Sequence, residues 1–242
     1  MALHDRDYWS GERTQVSEAT VSSFATRVYG WMTMGLLITA AVALWIYNSG
    51  TYAALMPFWW VATFGTFGIA MAMGFMVQRL PFPALAVLFT AYSALQGMLF
   101  GIILPIYAAA YGGQMIWLAF GTAGTIFGIA MCYGIVTKTD LTGIGKILRI
   151  ALMGLIAVTF LYIVMSFFVT LTMFDLIICY LGLIIFIGLT AYDAQQIRRM
   201  SSQTVGHSEL AGKLSLIMAL KMYINVIMIF WYILRIFSAG RR

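Results

Sequence analysis

The sequence predicts an all-α polytopic membrane protein, and three observations support this fold class. Hydrophobic residues make up 62% of the 242 positions and charged residues only 9%, a composition outside the range of soluble domains. The apolar residues form seven runs, each near the roughly 20 residues that a helix needs to cross about 30 Å of hydrocarbon. The intervening loops are short, so consecutive helices should lie antiparallel in one compact bundle.

The chain begins with a polar segment of mixed charge, residues 1–26, which we interpret as a solvated cytoplasmic tail with room for a turn of helix. A polar stretch of this length before the first apolar run is not typical of a signal peptide. We place the seven membrane segments, within a domain of residues 27–237, at 28–47, 54–77, 82–107, 115–136, 147–169, 176–195 and 214–237. A short basic tail, 238–242, completes the chain.

The distribution of Lys and Arg predicts a cytoplasmic amino terminus, because cations in short loops favour the inner side. The outer loops at 48–53, 108–114 and 170–175 contain no Lys or Arg. With this orientation the inner side receives Arg6, Arg13, Arg27, Arg79, Lys138, Lys146, Arg149, Arg198, Arg199 and Lys213. The carboxyl terminus is the exception: a seventh segment that crosses fully carries Arg241 and Arg242 outside, and one that re-enters does not. The sequence leaves both open.

Small residues one helical turn apart predict faces on which helices pack closely. Gly97 and Gly101 share a face of the third segment, and Gly124 and Gly128 share a face of the fourth. We expect both pairs at helix contacts.

Ionisable residues in the membrane segments are the candidates for function, because a charge at the bilayer centre costs roughly 2.5–3.5 kcal/mol on insertion scales. Asp175 begins the sixth segment, where it suits a helix N-terminus as a cap; an outer cation vestibule is the alternative. Lys221 lies in the seventh segment, from which its side chain can extend to the inner interface. Asp193 and Arg79 lie at inner helix ends and are candidates for an ion pair that closes the inner mouth, although similar depth does not establish contact.

Motifs for catalysis are lacking in the sequence. There is no GxSxG or HExxH motif, and the glycines from Gly121 to Gly128 have neither the Lys nor the preceding strand of a phosphate-binding loop. We therefore expect no enzyme, no resident metal and no cofactor. Nucleic-acid binding is also disfavoured, because the cations are divided among short flanks and do not form one face.

Five stretches, in order from about Arg27 to Phe237, resemble the Bax inhibitor-1 family and in particular its bacterial inner-membrane branch. The most specific stretch is Gly188-Leu-Thr-Ala-Tyr-Asp-Ala-Gln. The others are Val28-Tyr-Gly-Trp-Met-Thr, Tyr92-Ser-Ala-Leu-Gln-Gly, Thr137-Lys-Thr-Asp-Leu-Thr-Gly and Leu234-Arg-Ile-Phe.

The resemblance implies a seven-helix bundle in which the last helix is central and wrapped by the other six. It also implies a bacterial inner-membrane location and a pH-sensitive calcium leak. In leak members a sixth-helix carboxylate pairs with one on the seventh helix, and an Arg on the second helix latches to the first carboxylate. By the family motif and spacing these roles fall on Asp193 and Arg79. Other members restrain a membrane protease or protect against cell death.

The sequence departs from the family at the second carboxylate, which is Asn225 here. The later family asparagine is Met228, and Gly68 stands near the place of an additional buried Glu. Two adjacent carboxylates share a proton because both cannot ionise cheaply, and an Asp beside an Asn lacks that repulsion. We therefore expect weakened pH sensing.

Two interpretations of function stay open. One is a calcium-permeable leak channel, with calcium held transiently at Asp193 and the inner mouth closed by Asp193, Asn225 and Arg79. The other is a membrane interaction protein that modulates a membrane protease, or a stress or cell-death pathway, without conducting ions. A secondary transporter ranks last, because the first three and next three segments show no convincing repeat.

Overall fold

The protein forms one bundle of long helices. The structure, a computed structural model, describes residues 4–166, 172–203 and 208–240, which contain helices and no strand. The long helices are α1 (His4–Ser49), α2 (Trp59–Met76), α3 (Phe82–Tyr111), α4 (Gly113–Val136), α5 (Thr142–Ser166), α6 (Thr172–Gln203) and α7 (Ser208–Ala239). Each contains or completes a stretch long and apolar enough to cross a membrane, so the seven predicted segments are confirmed.

Proline and glycine mark the ends of α3. Pro81 has an extended backbone immediately before the helix and Pro83 lies in its first turn, where the missing N–H would have had no helical acceptor. Gly112 ends the helix with a φ of 88°, in the left-handed region that side chains with a Cβ rarely adopt. The chain therefore reverses from α3 into α4 within a single residue.

The amino-terminal segment differs in detail from the predicted tail. The segment 1–26 was expected to hold a turn of helix, but α1 is helical from His4, and its membrane span begins at Phe24. Extending an existing helix adds one hydrogen bond per ordered residue without a new nucleation step, which favours this continuation. Arg241, Arg242 and the end of the fifth segment, 167–169, lie outside the described residues.

The last helix is the central one, as the family resemblance implied. Within their membrane windows 67% of α7 is buried but only 6% of α5. α7 packs against α6, α1, α4 and α3, whereas α5 lies at the periphery and packs mainly on α6. α7 is also unbroken over its 32 residues, roughly 48 Å of helix. It is therefore a full span and not a re-entrant segment.

The prediction of close contacts at small residues is right for one pair and wrong for the other. A Cβ on Gly97 would lie 2.8 Å from the Thr39 carbonyl oxygen, and one on Gly101 would lie 2.9 Å from Ile46, so α3 packs closely on α1. No atom lies within 4 Å of the corresponding positions on Gly124 and Gly128. α4 buries a different face, and the spacing of small residues identifies a face without showing what covers it.

Candidate functional site

Asp193 occupies the interior of the bundle near the carboxyl-terminal end of α6. It is 5% exposed, and it is the one Asp, Glu, Lys or Arg that is buried within the described part of the chain. It lies in a buried stretch of α6 from Leu189 to Gln195. The sequence placed Asp193 at a helix end near water, but the structure places it where solvent does not compensate for its charge.

The protein partner of Asp193 is Asn225 on α7. The Asn225 Nδ2 donates a hydrogen bond of 2.9 Å to the Asp193 Oδ2, and Asn225 is 4% exposed. The structure thus brings together the two residues to which the resemblance assigned a carboxylate pair. Because an amide is neutral, this contact orients the carboxylate without balancing its charge.

Two cations act electrostatically on Asp193, namely Lys221 and Arg149. Lys221 is one helical turn before Asn225 on α7 and is half-buried, so its charge is near enough to act on the carboxylate. Arg149 reaches over from α5: its Nη2 donates to the Tyr192 hydroxyl at 3.0 Å, and its Cζ lies 5.0 Å from the centre of the Tyr192 ring. These positive charges take the place that the sequence assigned to Arg79.

Arg79 is not brought to Asp193. Its side chain is exposed, and it takes part in none of the three ion pairs among the described residues. The physical reason is the position of α2, which ends at Met76 and packs mainly on α3, with little contact to α7. The predicted latch is therefore absent from this arrangement of the helices.

The loop between α4 and α5 is fixed to the end of α6 that bears Asp193. Gln195 accepts a hydrogen bond from the Leu141 N–H at 3.0 Å and donates one to the Thr139 carbonyl at 2.8 Å. Asp140 accepts from the Thr142 hydroxyl and N–H and pairs with Arg199 at 2.7 Å. These contacts lower the pKa of Asp140 to about 2. The ionised carboxylate therefore contributes its full stabilisation of the loop at pH values above the ordinary pKa of an Asp, and this stabilisation is lost as the pH falls through about 2.

Close backbone packing and one unpaired oxygen complete the site. A Cβ on Gly134 of α4 would lie 2.1 Å from the Ala191 carbonyl oxygen, so only glycine permits α4 to approach α6 beside Asp193. One turn beyond Asp193, the Gln196 Oε1 is buried and has no hydrogen-bond partner in the described structure. Buried acceptors normally have a donor, a water or an ion.

A second charged contact joins the opposite ends of the same two helices. Asp175, in the first turn of α6, forms an ion pair with Arg235 of α7. The sequence predicted Asp175 as a helix cap, with an outer cation vestibule as the alternative, and the structure pairs this carboxylate with a protein cation. Sequence reasoning omitted Arg235, although a guanidinium in an apolar helix normally requires a partner. The antiparallel order of α6 and α7 places it level with Asp175.

Among the described residues, the buried part of the site contains one carboxylate, that of Asp193. The described residues contain no cluster of three or more His, Cys, Asp or Glu side chains that could hold an ion. The Gln196 Oε1 is a second buried oxygen, one helical turn beyond Asp193.

Comparison with known proteins identifies a family and relatives that cover nearly the whole chain. Residues 21–242 match the profile of a family described as inhibitor of apoptosis-promoting Bax1. An uncharacterized protein of Chlamydia muridarum is 49% identical over 99% of this chain and 98% of its own length. The inner membrane protein YbhL of Escherichia coli K12 is 34% identical over 92% of this chain and 94% of its own length.

Proposed function

Because this chain belongs to the Bax inhibitor-1 family of membrane proteins, we propose that it is a calcium-permeable leak pathway of a bacterial inner membrane, closed by the contact of Asp193 with Asn225. The observation that carries the proposal is the buried hydrogen bond between these residues. A buried carboxylate inside a membrane bundle is costly, and such residues mark ion pathways. The contact joins α6 to the central helix, where separation of the two would open the bundle's interior.

The oxygens around this contact support a cation as the transported species. Asp193 provides a negative charge, and the Gln196 Oε1 is a buried acceptor without a donor among the described residues. A partly dehydrated Ca²⁺ takes six to eight oxygen ligands, mostly carboxylates, carbonyls and waters. The positive charges of Lys221 and Arg149 act on Asp193 and oppose cation entry, which favours a slow leak.

The pH response should be weak, because only one member of the contact titrates. A second carboxylate at position 225 would repel Asp193 when both are ionised, and protonation would relieve this repulsion. The natural amide keeps the contact closed without such a proton. We therefore expect the unmodified protein to leak slowly and with little pH dependence.

The test is calcium flux into proteoliposomes across about pH 6 to 8, a range that covers the titration of shared carboxylate pairs raised toward neutrality. Asn225→Asp should raise flux several-fold at the alkaline end and little at the acid end, and Asp193→Asn should stay low at every pH. The matched control is Asn48→Asp, the same change at an exposed position. Equal flux for Asn225→Asp and the natural protein at all pH values would reject the gate.

A second candidate function is favoured by the length of α1. This helix has 46 residues, roughly 69 Å, and its residues before Phe24 are mostly polar with charges of both signs. The preceding turns form a helical extension that could contact a membrane protease or another protein. If no variant conducts calcium, and removal of residues 1–23 abolishes the effect of the protein on a membrane protease or a stress pathway, then the protein acts through interaction and not as a channel.

A further inference from the structure

Two cations on α5 stand apart from the charge pairs of the protein. Lys146 and Arg149 are exposed and lie three residues apart, hence on one face of the helix. The ion pairs found among the described residues join Arg199 to Asp140, Lys213 to Glu209 and Arg235 to Asp175. Neither Lys146 nor Arg149 forms an ion pair within the described structure, although the charge of Arg149 also acts on Asp193.

The Arg149 side chain is held in place although it is exposed. Its guanidinium lies over the Tyr192 ring with Cζ 5.0 Å from the ring centre, and its Nη2 donates to the Tyr192 hydroxyl at 3.0 Å. Tyr192 itself is buried. One hydrogen bond leaves most of the five guanidinium N–H donors available to a ligand, and a fixed planar fork suits phosphate oxygens better than a mobile one.

The surface next to these cations is apolar and open. Met153, one turn beyond Arg149, is 68% exposed, and Phe160, two turns further, is 69% exposed. α5 packs mainly on α6, so this outer face has no large protein contact. Two cations at the end of a helix, followed by an apolar strip along it, match an amphiphile with an anionic head and a hydrocarbon chain.

We propose that Lys146, Arg149 and Tyr192 form a binding site for the phosphate of an anionic phospholipid, whose acyl chain follows Met153 and Phe160 along α5. Lys146 contributes a point charge and Arg149 an oriented fork, while Tyr192 positions Arg149. The ligand would lie one residue from Asp193, since Tyr192 directly precedes it. Lipid binding at this site does not depend on the proposed calcium leak. The test of lipid binding measures no calcium flux, so either proposal can fail without the other.

The test is native mass spectrometry of the detergent-solubilised full chain with phosphatidylglycerol and with phosphatidylcholine of the same acyl chains. The natural protein should retain phosphatidylglycerol preferentially. The variant Lys146→Gln/Arg149→Gln should bind it roughly 20-fold more weakly, at about fivefold for each cation near a membrane surface. Lys138→Gln, which removes an exposed cation from the neighbouring loop, should change binding little.

Two further variants test the role of geometry. Tyr192→Phe retains the ring but removes the hydrogen bond, so binding should weaken a few-fold at unchanged net charge, and Arg149→Lys should weaken it similarly. Addition of inorganic phosphate should not displace the lipid, because it lacks the acyl chain. Equal retention of both lipids by the natural protein, or unchanged binding in the double variant or in Lys146→Gln alone, would overturn the proposal.

Discussion

The antiparallel pair α6 and α7 carries a carboxylate at each end, and the two ends stabilise it differently. Asp193 is 5% exposed and receives a hydrogen bond from a neutral amide. Asp175 has a side chain that is 23% exposed and forms an ion pair with Arg235. The residues are 18 positions apart (193 − 175), roughly 27 Å along the helix. They therefore lie near opposite faces of the membrane.

The difference separates a structural contact from a functional candidate. At the Asp175 end a near cation balances the charge, and the carboxylate also lies favourably in the first turn of a helix. At the Asp193 end the charge is deeper, and its direct partner contributes no positive charge. Because a buried charge in a membrane helix is costly unless it has a partner or a function, Asp193 and not Asp175 is the functional candidate. Three changes would break or sharpen this comparison.

The largest effect on stability should come from Gly134, which permits close backbone packing beside Asp193. In Gly134→Ala the new methyl group would lie 2.1 Å from a backbone oxygen, that of Ala191, so a helix must move. We expect a loss of about 3 kcal/mol or more in the free energy of unfolding, at the upper end of overpacking effects. Thermal and denaturant unfolding in detergent would measure it.

Two matched substitutions serve as controls. In Gly182→Ala, at the Asp175 end, the atoms nearest the methyl group belong to the Tyr232 side chain and none of them to a backbone, so a side chain and not a helix must shift and a smaller loss is expected. In Gly128→Ala nothing lies within 4 Å, and the change should be neutral or slightly stabilising because alanine favours helix. A loss for Gly128→Ala as large as for Gly134→Ala would contradict the packing described here.

These glycines show which parts of the structure the sequence could predict. The seven segments follow from apolar runs whose length matches the bilayer, and the structure confirms them. The approach of Gly134 to Ala191 depends on the rotation of two helices about their axes, which no run of apolar residues encodes. The same reason explains the wrong prediction for Gly124 and Gly128: a helix with apolar residues on every side gives no signal for its buried face.

The polar site was predictable in part for a similar reason. Asp193 is conspicuous as a carboxylate in an apolar helix, and the family motif aligned Asn225 with its partner position. Arg79 was inferred from depth alone, and the packing of α2 on α3 leaves it away from α6. In the sequence Arg149 counted only as one of the cations that set the membrane orientation. Its contact with Tyr192 could not be predicted, because it joins α5 to α6 through packing that only the three-dimensional structure shows.

The second change tests the Asp193 contact. Asn225→Leu removes the donor and leaves a buried carboxylate oxygen unpaired, which should cost about 1–3 kcal/mol. The double variant Asp193→Leu/Asn225→Leu removes both polar groups and should be more stable than Asn225→Leu alone, since an apolar pair has no unmet hydrogen bond. Denaturant unfolding of the natural protein, both single variants and the double variant gives the coupling free energy. A double variant less stable than either single variant would show that the contact is structural.

The smallest effect is expected at the Asp175 end. Asp175→Asn should cost about 0.5–1 kcal/mol, because the pair with Arg235 is partly exposed and such pairs contribute little. High salt should reduce this loss by screening, whereas the loss in Asn225→Leu should not change with salt. Exchange of the two residues, Asp175→Arg with Arg235→Asp, restores the attraction but places a cation at the amino-terminal end of α6. Because the helix dipole disfavours that placement, stability should return only in part, and full recovery would show that the ion pair alone accounts for Asp175.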